Sequence, residues 1–76
     1  MNPNHEKIGE AVLALLHLTS FTDHGVTRAW KGHDWDALDR LHEKGFIFDP
    51  KNKSKSVVFT EKGRERAEQL FQKLFT

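Results

Sequence analysis

Five histidines and eleven carboxylates are the side chains that could do chemistry in this 76-residue chain, which contains no cysteine. His5, His17, His24, His33 and His42 show no ligand-like spacing: there is no HExxH and no pair one helical turn apart. His33 beside Asp34 is the one metal or acid–base candidate. Asp34, Asp36 and Asp39 cluster, but at the start of a helix they complement its dipole without any catalytic role. There is no Ser-His-Asp order and no Gly-rich phosphate loop. These residues predict a non-enzymatic protein with no cofactor, no metal site and no small-molecule substrate.

Binding, then, falls to cations and apolar side chains. The net charge is only +1, but residues 33–49 carry five acids against two bases, and residues 50–76 carry seven bases against three acids. Lys51, Lys53 and Lys55 alternate along one loop. They could grip phosphates, or they could form a solvated tip whose charge protects a sheet edge. Arg40 could read a guanine, or pair with Asp36 or Glu43 on its own helix. Trp30 and Trp35 flank a short turn. Exposed, they would form an interface hot spot; buried, which we expect, they lock strand to helix. Phe71, Leu74 and Phe75 close the chain and could seal a homodimer.

The elements that must position these residues follow from local signals. Asn2 or Asn4 caps a first helix in which Ile8, Ala11, Val12, Leu15 and Leu16 keep helical spacing. Leu13, Ala14 and Leu18 make most of its circumference apolar. Such a helix lies at the centre of a domain or has a second face covered by a partner, and we expect the former. Thr19 to Gly25 reads as a polar break, and Val26 to Trp30 as a short edge strand. Asp34 caps a helix over Trp35 to Lys44, and Gly45 stops it in a Schellman motif with Phe46 against Leu41. Phe46–Phe48 and Ser56–Phe59 read as two strands, joined by a connection long enough for a mobile tip. Thr60 caps a last helix with Ala67, Leu70, Phe71, Leu74 and Phe75 on one face. The expected fold is a single α+β domain over residues 1–76, in the order helix, strand, helix, strand, strand, helix.

The run LHEKGFIFDPKNKSKSVVFTEKGRERAEQL resembles the second half of a bacterial winged helix-turn-helix domain. Leu38, Leu41, Lys44, Gly45, Phe46 and Ile47 match the end of a recognition helix. Val57, Phe59 and the run Thr60 to Gly63 match the end of a wing and the helix after it. The resemblance implies a winged-helix-like fold and a transcription-associated role. The whole chain, especially AWKGHDWDALDRLHEKGFI, also resembles a family of short uncharacterised bacterial proteins with no assigned activity, so that likeness implies a fold and no mechanism.

Two features depart from the winged-helix pattern. Only about fifteen residues lie between Leu18 and Asp34, too few for the supporting helix that braces a recognition helix in the major groove. The exposed positions of the central helix are Asp36, Asp39, Arg40 and Glu43, which phosphates repel. The sequence therefore favours a protein-interaction or homodimerising module, with self or another protein as partner. Weak duplex-DNA binding through Lys51, Lys53, Lys55 and Arg40 is the alternative. No run of about 18 apolar residues and no secretory leader is evident, and a cytoplasmic location is expected.

Overall fold

Each helix among the described residues opens on a side chain that accepts its first free backbone N–H groups. In the computed structural model, which describes residues 3–52 and 54–76, Asn4 Oδ1 accepts from Glu6 and Lys7 at 3.1 Å and opens α1, His5–Leu18. Asn2, the other candidate cap, lies outside the described residues. Asp34 accepts from Ala37 N–H at 3.1 Å and opens α2, Trp35–Glu43. Thr60 accepts from Gly63 N–H at 2.9 Å and opens α3, Glu61–Phe75.

The class is α+β as expected, but the order is helix, strand, strand, helix, strand, helix. The supposed polar break contains β1, Phe21–Asp23, which pairs antiparallel with β2, Val26–Trp30. His24 (φ 51°) and Gly25 (φ 77°) both take the left-handed conformation between them. Two positive φ values in a two-residue loop make a type I′ turn, whose twist matches that of the flanking strands. β2 then pairs with β3, Ser56–Val58, giving the sheet order β1-β2-β3. Phe46–Phe48 is not a full strand. It contributes one bridge, Ile47 to Phe59, and a bond from Phe48 N–H to the Val58 carbonyl at 2.9 Å. Between α1 and α2 lies this hairpin and, among the described residues, no supporting helix. The helix-turn-helix pair of a winged-helix domain is therefore not seen.

One core joins the layers. Val12, Leu13, Ala14 and Leu16 of α1 meet Leu38 and Leu41 of α2, Ala67 and Leu70 of α3, and Ala29, Ile47, Val57 and Phe59 from the sheet side. Ala29 and Val57 are cross-strand partners on the inner face. Arg28 and Val58, one residue along each strand, therefore project to the other face.

The junction of α2 and α3 is the tightest point. Gly45 has φ 79°, Phe46 N–H donates to the Leu41 carbonyl at 3.0 Å, and Gly45 N–H donates to the His42 carbonyl at 2.9 Å. This is the Schellman motif the sequence predicts. Thr60 locks it to α3: its N–H donates to the Phe46 carbonyl at 3.1 Å and its hydroxyl to the Gly45 carbonyl at 2.6 Å. Gly45→Ala is expected to cost about 1 kcal/mol, because the new Cβ strains a left-handed residue. No atom blocks that Cβ, so strain alone sets the loss. An unchanged urea midpoint would contradict it.

Candidate interaction surfaces

Among the described residues, apart from Trp35 at the start of α2, the large apolar side chains that the core leaves in solvent fall on two surfaces. The first is on α1. At 100° per residue, Gly9, Val12, Leu13, Ala14 and Leu16 form its buried face. Ile8, Ala11, Leu15 and Leu18 form a second stripe at 3-4-3 spacing, and Leu18 is 61% exposed. The expectation that the domain itself covers all of α1 is thus corrected for this half. Its neighbours in the core lie on one side, and the other is covered only in part: Ile8 and Leu15 are each 37% exposed and Ala11 is half-buried. Phe71 packs partly on the core, with its ring 5.2 Å from that of His17. Phe75 lies 5.6 Å further along from Phe71, half exposed, and Leu74 is similarly open. The candidate closing residues Phe71, Leu74 and Phe75 therefore stand at the Leu18 end of α1.

The second surface is the outer face of the sheet. Phe21 pairs with Arg28, Arg28 with Val58, and Phe48 N–H bonds Val58, so these four form one row across the sheet. Trp30 sits diagonally, its ring 5.3 Å from Phe21. Trp30 is 58% and Trp35 55% exposed, which overturns their expected burial. The reason is register: Ala29, not Trp30, points inward, and α2 buries Ala37, Leu38 and Leu41 instead of its N1 residue.

The supposed wing is held against the body over its first half. Pro50 is fully buried, Lys51 N–H donates to Asp49 Oδ1 at 2.9 Å, and Lys31 Nζ reaches Asn52 Oδ1 at 2.9 Å. Lys51 Nζ is 3.8 Å from Asp39, an exposed pair of small energetic worth. Lys53 lies outside the described residues. Lys55 is exposed, and its carbonyl accepts from Lys31 N–H at 3.0 Å. Arg40 is exposed on α2 and borders a cleft of about 300 Å³ between the helices. Neither Lys51 nor Lys55 lines that cleft. Around that cleft Lys44 meets Glu6 at 3.7 Å and Arg66 meets Glu10 at 3.6 Å, over a floor including Gly9, Leu13 and Leu70.

Among the described residues no three His, Asp or Glu side chains converge as a metal site would require. His42 serves structure: its Nδ1 is 3.1 Å from the Ile47 carbonyl, tying α2 to the segment that follows it. No described helix is long and apolar enough to cross a membrane.

The chain is 55% identical over 76 residues to the uncharacterized protein y4hR of Sinorhizobium fredii (strain NBRC 101917 / NGR234), covering all of this chain and 99% of that one. No solved structure matches it. A family model described as a domain of unknown function, DUF6429, matches residues 4–76. With nearly its whole length matched, the chain belongs to the DUF6429 family.

Proposed function

We propose that the domain is a non-catalytic protein-interaction module that pairs with a second copy of itself through the outer stripe of α1. The second apolar face of that helix carries the reading. Ile8, Ala11, Leu15 and Leu18 repeat at the spacing of a coiled-coil seam. Leu74 and Phe75 are exposed, and Phe75 stands near the Leu18 end of that seam. A specific interface covers about 800 Å² per partner around an apolar centre with a polar rim. The stripe supplies such a centre, and Lys7 begins the rim. A 76-residue chain also gains from association, since a domain near this size buries only about 60% of its unfolded surface.

Duplex-DNA binding through Lys51, Lys53, Lys55 and Arg40 is less well supported. Asp39 already accompanies Lys51, and α2 presents mainly carboxylates to any groove it would enter. Light scattering on the eluting gel-filtration peak tests the proposal. A mass of two chains is expected, falling toward one on dilution. A monomer persisting at roughly 1 mM protein, the scale of very weak pairing, would remove it.

A further inference from the structure

We propose that the outer face of the sheet binds single-stranded nucleic acid, stacking bases on Phe21, Trp30 and Phe48 and holding phosphates with Arg28 and its neighbouring lysines. The row Phe21–Arg28–Val58–Phe48 crosses four adjacent extended segments. At about 4.8 Å per strand, the two outer rings stand roughly 14 Å apart. That span suits two or three unstacked bases. Arg28 lies between the rings, donates to Ser56 Oγ at 3.3 Å, and has no carboxylate partner among the described residues. Trp30 widens the aromatic platform beside Phe21.

Charge selects the partner. Residues 20–32 and 47–59, the sheet and its loops, carry Arg28, Lys31, Lys51, Lys53 and Lys55 against Asp23 and Asp49, a net of +3. The remaining residues, mostly helical, carry a net of −2, since the whole chain is +1. The polarity is hidden in the near-neutral total. Lys31 and Lys55 meet through a backbone bond at the Trp30 end of the sheet, and Arg64 borders a shallow depression with Val26, Phe48 and Val58 at the other end. Exposed Trp30 and Phe48, half-exposed Phe21 and an Arg28 free of carboxylate partners among the described residues match the pattern of single-strand binding, in which stacking is sequence-tolerant and the backbone supplies the salt dependence. A broad open sheet with no helix to enter a groove does not suit a duplex.

The test is a titration of the full chain with a fluorescein-labelled oligothymidylate, read by anisotropy and by quenching of tryptophan emission. Binding is expected to weaken roughly ten- to twentyfold between about 50 and about 200 mM salt, the change for some three phosphate contacts on a single strand. Trp30→Ala and Phe48→Ala should each weaken it by about 5- to 150-fold. Trp30→Phe should stay within a few-fold of wild type, because a ring is kept. Circular dichroism verifies that these variants remain folded. Several results would overturn the proposal: no binding at low salt, alanine variants that bind as wild type, or equal or tighter binding of a duplex of the same sequence. Displacement of the oligonucleotide by polyglutamate at equal charge would overturn it too, and would identify the face as a site for acidic polypeptides. The outcome does not depend on whether α1 dimerises.

Discussion

Gly63→Ala is expected to cost on the order of 3 kcal/mol or more, although the same exchange in most helices stabilises. Alanine is the better helix former by nearly 1 kcal/mol, and Gly63 lies in the first turn of α3 with ordinary helical backbone. What forbids it is proximity. An added Cβ would fall onto the Phe46 carbonyl oxygen and within 2.7 Å of the Phe46 Cα. Those are backbone atoms, which cannot swing aside as a long side chain can. Withdrawal of α3 would break the Thr60 bonds to Gly45 and Phe46, and the contact of Lys62 with the Phe46 ring at 5.1 Å. Overpacking typically costs 1–3 kcal/mol, and here the lost bonds add to it. A chain of 76 residues has roughly 4–11 kcal/mol of stability in total, so the variant should melt far below wild type. Gly32→Ala is the control. Nothing lies within 4 Å of its Cβ and its φ is not positive, so its urea midpoint should barely move. Equal midpoints for both variants would show that α3 does not approach Phe46 this closely.

That glycine marks the boundary of what the sequence reveals. Its early place in α3 is visible in the sequence. The atom that it approaches is seventeen residues away and no local signal names it. The features read correctly are those that a few neighbouring residues decide: the caps Asn4, Asp34 and Thr60, and the Schellman turn at Gly45. The β1 strand escaped because its turn is His24-Gly25 and not the commoner Asn-Gly, and because Thr22 and Asp23 read as loop. Phe46–Phe48 looks like a strand from composition, yet the Asp49–Pro50 turn and the burial of Pro50 limit its pairing to one bridge. The tryptophans show the deeper difficulty. Trp30 and Ala29 are adjacent in a strand, and register alone sends the small residue inward and the large one to solvent. Hydrophobicity identifies the buried face of a strand poorly when the core is satisfied by alanine. Charge had the same problem: lysines spread over two separate stretches of sequence belong to one layer only once β2 and β3 pair.

Leu15 and Leu16 should give opposite results, and the contrast tests which face of α1 belongs to the fold. They are neighbours in sequence but point about 100° apart around the helix. Leu16 is fully buried, whereas Leu15 is 37% exposed on the outer stripe. Leu16→Ala deletes packed methyl groups and leaves a cavity, so a loss of about 2–5 kcal/mol is expected, independent of protein concentration if the loss lies within one chain. Leu15→Glu combined with Leu18→Glu places two carboxylates where a second copy would have to bury them. Such burial without partners is strongly unfavourable, so a dimer should dissociate while each chain stays folded. The melting curve carries a second signature. Association stabilises by mass action, so wild-type Tm should rise with concentration and the double variant's should not. If the double glutamate variant unfolds, the outer stripe is part of the core and the partner-covered face does not exist. If it remains dimeric, the seam lies elsewhere, and Phe75→Asp at the end of α3 becomes the substitution that should separate the chains.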